Sequence, residues 1–219
     1  MNDQLPLGLR LSDHTRLEDY IGEAAQRICR FNGLVYVAGP AGTGKSHLLE
    51  GLCHARNAEG WQTLYLTLGS DLSPAVLDGL EVMQLVCLDD ADRTLAARDW
   101  QEALFHLINA CRDRGTSLVL AGRTPVAGLE LTLADLQSRL RGAYLLSTDR
   151  LTDEQKLEVI GRKAQRRGFT MSEEVCRFIL GRAERDMHHL AKLVQQLDRE
   201  TLRRQKKVTI PFVKESLGL

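Results

Sequence analysis

Neither sign of charge dominates this sequence: Lys and Arg together number 29, Asp and Glu also 29, and the formal net charge is zero. Such a balance gives no overall field to hold nucleic acid, so any DNA contact would be local or made through a partner. The cysteines are few and scattered. Cys29, Cys53, Cys87, Cys111 and Cys176 form no C-x-x-C pair or other zinc spacing, their number is odd, and most fall within apolar stretches. They read as reduced core residues of a cytoplasmic protein. No basic run followed by an apolar core marks a signal peptide, and no apolar stretch approaches the roughly 20 residues of a membrane helix. Repeats and low-complexity segments are missing, and His14, His47, His54 and His106 show no metal spacing. With 219 residues, 43% of them hydrophobic, the chain suits one α/β domain and a smaller appendage.

What is present begins with an alternation. Short apolar runs at Leu34–Ala38, Thr63–Leu68, Leu85–Leu88, Ser117–Ala121 and Ala143–Ser147 are separated by helical patterns. Runs of continuous apolar character suit parallel strands buried on both faces. The β-α-β-α succession predicts five parallel strands with right-handed crossovers and helices on both faces. Past Leu151 the character turns helical. Thr152 with Gln155 fits a capping box that opens a helix to about Arg167, and Gly168 is its expected stop. Ser172 caps a second helix, a third carries Met187, Leu190, Ala191, Val194, Leu197 and Leu202 on one face, and Thr209-Ile210-Pro211 opens a fourth. The expected organisation is an N-terminal peptide at 1–11, a nucleotide-binding α/β domain at 12–150 and an all-helical lid at 151–219.

Two motifs carry chemistry. Gly39-Pro40-Ala41-Gly42-Thr43-Gly44-Lys45-Ser46 matches G-x-x-x-x-G-K-[ST] between a predicted strand and a predicted helix. Glycines let the backbone wrap closely around phosphate so that its N–H groups converge on the oxygens, and the following helix adds its positive end. Lys45 is expected on the β-phosphate, and on the γ when present, with Ser46 on Mg²⁺. Some forty residues on, Leu85-Val86-Cys87-Leu88 ends in Asp89 and Asp90. Asp89 would position Mg²⁺ through water and Asp90 would polarise an attacking water. ADP or ATP with Mg²⁺ are the expected ligands.

The run Gly42-Thr43-Gly44-Lys45-Ser46-His47-Leu48-Leu49 resembles initiator-type AAA+ proteins and helicase loaders. Further stretches resemble the Hda family of regulators of the replication initiator DnaA. Asp135-Leu136-Gln137-Ser138-Arg139-Leu140 is similar to the motif that carries an arginine finger, Arg166-Arg167-Gly168-Phe169 and Leu197-Asp198-Arg199 to that family's lid, and Val208–Glu215 to its end. Gln4-Leu5-Pro6-Leu7-Gly8-Leu9 resembles its sliding-clamp-binding peptide. The resemblance implies a nucleotide-bound adaptor. Together with the DNA-loaded clamp, it stimulates hydrolysis of ATP on the initiator and prevents re-initiation. It implies nucleotide contacts through His47 and, in the lid, at His188. Arg139 would act on the partner's ATP, with Arg141 as its neighbouring competitor, and Gln4, Leu5, Leu7 and Leu9 would engage the clamp. Direct sequence-specific DNA binding and a membrane are not expected, whereas a homo-oligomer is possible. The alternative is a helicase-loader ATPase on single-stranded DNA.

Two positions depart from the pattern. His188 stands where the lid usually bears an arginine, and a mostly neutral histidine cannot match a permanent guanidinium. Arg123 follows the fourth strand where a neutral polar or acidic group is usual. Both point to weak or no intrinsic ATPase activity. For the N-terminal peptide, Gln4 supplies an amide that donates and accepts, and the leucines supply apolar anchors. Deleting residues 1–9 is expected to abolish clamp binding in a pull-down while leaving the circular-dichroism spectrum unchanged. Retained clamp binding would refute the assignment.

Overall fold

A computed structural model describes residues 15–184 and 186–218, without the side chain of His188; the residues proposed for clamp binding, Gln4, Leu5, Leu7 and Leu9, lie outside the described residues. The five expected strands are β1 (Leu34–Ala38), β2 (Thr63–Thr67), β3 (Leu85–Asp89), β4 (Ser117–Gly122) and β5 (Tyr144–Ser147). They form one parallel sheet in the order β2-β3-β4-β1-β5. Every residue of β3 and of β4 is buried, which accounts for the unbroken apolar character of these two runs. Helices α1 (Ala24–Cys29), α2 (Lys45–Ala58), α3 (Arg98–Arg114) and α4 (Ala134–Arg141) accompany the sheet. The core gathers Leu104, Leu107 and Ile108 of α3 with Leu136 and Leu140 of α4 and the strand residues Tyr36, Val86, Leu88, Leu118 and Leu120.

The chain divides into two compact units. One comprises 23–40 and 45–148 with the described residues up to Leu17; the other comprises 149–219 with two short segments, 18–22 and 41–44. The second unit holds α5 (Asp153–Arg166), α6 (Glu173–Arg182), α7 (Met187–Arg204) and α8 (Ile210–Leu217). The capping box forms as expected: Gln155 N–H donates to Thr152 Oγ1 at 3.2 Å, and Thr152 N–H donates to Gln155 Oε1 at 2.9 Å. Arg167 closes α5, and Gly168 follows at φ 83°, the left-handed turn that favours glycine. Ser172 accepts from Val175 N–H and Thr209 from Phe212 N–H, so all three polar caps read from the sequence are made.

The buried face of α7 needs one correction. Leu190, Leu193, Val194 and Leu197 are buried, whereas Leu202 is 73% exposed. Five residues along a helix turn about 140°, which carries Leu202 away from the stripe through Leu197. The two lid motifs named in the sequence have structural partners. Arg167 reaches Asp198 at 3.7 Å, Phe169 and Leu197 are buried, and Arg166 forks onto Asp19 at 2.6 Å and Glu18 at 2.8 Å.

Residues 15–17 lie on α2. His47 donates from its ring to the Arg16 carbonyl at 2.9 Å, and a Cβ at Gly51 would meet Leu17 N at 2.9 Å. Alanine normally stabilises a helix interior by about 0.5–1 kcal/mol over glycine. At Gly161 in α5, where a Cβ meets nothing within 4 Å, Gly161→Ala is expected to raise the thermal midpoint. Gly51→Ala is expected to lower it, because backbone must shift. Thermal unfolding of both variants checks the opposite signs.

Candidate functional site

In a parallel sheet every strand ends on the same edge, so the segments after β1, β3 and β4 converge there. The segment after β1 is the glycine-rich loop. Gly42 and Gly44 adopt φ 78° and 88°, which only glycine takes freely. Within the second unit, a Cβ on Gly42 would fall 2.5 Å from Asp186 Oδ2, and one on Gly44 would fall 3.2 Å from the Tyr20 ring. The glycines at these two positions therefore meet both a conformational and a steric demand.

Lys45 opens α2 and is buried. Its ammonium donates to the carbonyls of Gly39 at 2.7 Å and Pro40 at 2.9 Å, reaching back across the loop. Burial pulls its pKa below the ordinary lysine value, and the carboxylates of Asp89 and Asp90 pull it up again. Thr43 is buried in the loop, while Pro40, Ala41 and Ser46 are exposed at its rim. His47 faces the Arg16 carbonyl described above.

Asp89 ends β3 at 2% exposure. A buried carboxylate requires hydrogen-bond donors. Tyr65 Oη–H supplies one to Oδ2 at 2.9 Å, and Asp90 N–H supplies one to Oδ1 at 2.9 Å. Thr67 Oγ1 in turn donates to Tyr65 Oη at 3.3 Å. Burial, then the Asp89 charge, raises the Tyr65 pKa, so the phenol remains a donor. With both oxygens engaged and oriented, Asp89 is suited to holding a metal-bound water. Asp90 sits at φ 53°, an uncommon left-handed geometry for a side-chain-bearing residue, and its Oδ2 accepts from Arg93 at 3.2 Å. Among the described residues no group of three or more His, Cys, Asp or Glu side chains could hold a metal alone. A Mg²⁺ here would therefore rest on Ser46, Asp89 and oxygens brought by a ligand.

Asp92 is a site residue that the motifs did not single out. Its Oδ2 accepts the backbone N–H groups of Arg123 at 2.8 Å and Thr124 at 3.0 Å. Its Oδ1 is buried with no hydrogen-bond partner. Tyr36 Oη–H donates to the Thr124 carbonyl at 2.8 Å, and a Cβ on Gly122 would collide with Tyr36 Oη. One carboxylate thus clamps the segment after β4 to the segment after β3. Asp92 stands three residues past Asp89, a spacing the sequence displays without revealing what it binds. The contacts of Tyr20 and Asp186 with the loop glycines had no sequence signal at all.

Arg139 lies elsewhere. It is in the last turn of α4 and lines a cleft of about 510 Å³ with Asn32, Arg112, Ser138 and Leu118. Gly33 and Leu34 at the start of β1 and Thr116 at the start of β4 share that cleft, so it opens at the edge opposite the loop. A five-residue parallel strand at about 3.3 Å per residue sets the two edges about 16 Å apart. Arg141 is exposed.

A glycine-rich loop after β1, paired acids ending β3 and the strand order β2-β3-β4-β1-β5 define a P-loop protein of the AAA+ class. Residues 153–217 match the family model described as the lid domain of Hda. An uncharacterized protein of Haemophilus influenzae is 36% identical over 232 residues, covering 100% of both chains. The chain belongs to the Hda family of DnaA-related AAA+ proteins. Its fold is similar to domain III of the Thermotoga maritima replication initiation protein DnaA, with a TM-score of 0.73, 19% identity, and coverage of 95% of this chain and 98% of that one. AMPPCP-bound DnaA from Aquifex aeolicus superposes with a TM-score of 0.66 at 20% identity over 89% of this chain and 69% of that chain. The Thermotoga maritima RuvB branch-migration motor gives 0.62 at 18% over 92% and 66%. Among the described residues no helix is long and apolar enough to cross a membrane.

The Asp92 clamp is directly testable. Asp92→Ala leaves two backbone N–H groups without their acceptor and is expected to destabilise the protein by about 1–3 kcal/mol in thermal or urea unfolding. Asp92→Asn, which keeps an accepting oxygen, is expected to recover most of that loss.

Proposed function

We propose that this protein is a nucleotide-bound regulator that inactivates the replication initiator DnaA. In this reading ADP or ATP sits on the loop Gly39–Ser46, and Lys45 meets the phosphates. Mg²⁺ rests on Ser46 and, through water, on Asp89. The bound metal would neutralise charge on the phosphate oxygens. With the DNA-loaded sliding clamp engaged through Gln4, Leu5, Leu7 and Leu9, the protein presents Arg139 to ATP held on the initiator. Hydrolysis there leaves the initiator in its ADP form and limits initiation to one round.

The observation that carries the reading is the position of Arg139. It stands on the edge of the sheet remote from its own loop, about 16 Å away, so its guanidinium is directed to a neighbour's phosphate. Family membership and the fold shared with domain III of DnaA support a partner of the same architecture, since AAA+ domains of one shape stack edge to face. An arginine supplied in trans offers a planar fork and permanent charge where the transferring phosphoryl group develops charge.

The test uses initiator loaded with labelled ATP, incubated with this protein, clamp and DNA, following ADP formation. Arg139→Ala is expected to lower the stimulated rate by about 10³-fold while sparing clamp binding and folding. Arg139→Lys should rescue little, and Arg141→Ala should have a milder effect. If Arg141→Ala alone removes stimulation, the finger is misassigned. If neither matters, action in trans is wrong and a helicase-loader role moves ahead.

A further inference from the structure

We propose that Arg123 is a second phosphate-binding cation of the loop site, one that engages the terminal phosphate of a nucleoside triphosphate and selects it over the diphosphate. The inference rests on the nucleotide-binding reading above and adds a specificity-determining residue to it.

Register places the residue. Ala38 pairs with Gly122 across β1 and β4, and Gly39 N–H donates to the Gly122 carbonyl at 3.2 Å. Arg123 is therefore the first residue beyond β4, beside the residue that starts the loop. Lys45 reaches back to this same end of the loop, where it holds the Gly39 and Pro40 carbonyls. A lysine so placed serves the outer phosphates, so a cation flanking its tip meets the outermost one.

The backbone of Arg123 is fixed on three sides. Asp92 holds its N–H and that of Thr124, Tyr36 holds the Thr124 carbonyl, and Gly122 has no room for a side chain. Yet the side chain of Arg123 is exposed, and it makes no hydrogen bond or ion pair among the described residues. Neighbouring arginines differ: Arg93 pairs with Asp90, Arg98 with Glu102 and Arg112 with Asp113. The Arg123 charge is close enough to oppose protonation of Lys45. Asp89, Asp90 and Asp92 put three carboxylates in this corner against the two cations, and Asp90 is already shared with Arg93. Two like charges held near each other by a rigid backbone, one of them unpaired, suit an anion lying between them.

Calorimetry on the full chain with Mg²⁺, using ADP and a non-hydrolysable ATP analogue, tests this. Arg123→Ala is expected to weaken the triphosphate analogue by about 10-fold or more, the scale of one charge-assisted contact, and ADP by less than about twofold. Arg123→Lys should fall between wild type and Arg123→Ala. Circular dichroism of each variant verifies folding. Equal losses for both ligands, or none, overturn the proposal. If Lys45→Ala weakens both ligands and Arg123→Ala changes neither, only the role of Arg123 is wrong. If wild type binds neither ligand, the nucleotide reading and this inference fall together.

Discussion

Parallel pairing of five strands is the constraint from which the rest follows. When all strands run the same way, every segment leaving a strand emerges on one edge and every segment entering a strand lies on the other. The glycine-rich loop, the acids at Asp89 and Asp90 and the turn at Arg123 have no choice but to gather. By the same geometry Arg139, which precedes β5, is held away from them. No side-chain packing has to be invoked to separate the two; the chain direction does it.

Given that frame, small polar contacts set the local geometry. Asp89 is held by a phenol and a backbone amide, and Asp92 by two backbone amides. Buried carboxylates without such donors would cost several kcal/mol each. Satisfied, they make the turns after β3 and β4 one piece. Gly122, with no space for a methyl group, is what lets Tyr36 and Asp92 approach from either side.

Much of this was legible in the sequence because it depends on local chemistry. β1 matches its apolar run residue for residue, and the caps at Thr152, Ser172 and Thr209 form as their residue types dictate. The phosphate loop is legible for the same reason: contiguous residues build it. Asp92, Tyr65 and Tyr20 were not, since each acts on a residue distant in sequence, and a lone acid or tyrosine announces no partner. Leu202 was misplaced because a leucine near the end of a helix is easily assigned to the nearest apolar stripe, whereas Leu193 completes it. Gly51 gives no sign in the sequence that a neighbouring segment of backbone lies against it.

Charge facing the resident ligand and charge facing outward occupy opposite rims of one rigid sheet. Neither rim shares a hydrogen bond with the other among the described residues. Lineages of this fold are thus free to alter the residue after β4 or the helix before β5 independently, with no compensating change in the core. Such separability lets a scaffold drift in what it holds while keeping what it acts upon. The arginine after β4, in a turn whose backbone would accept almost any side chain, is the kind of change this freedom permits.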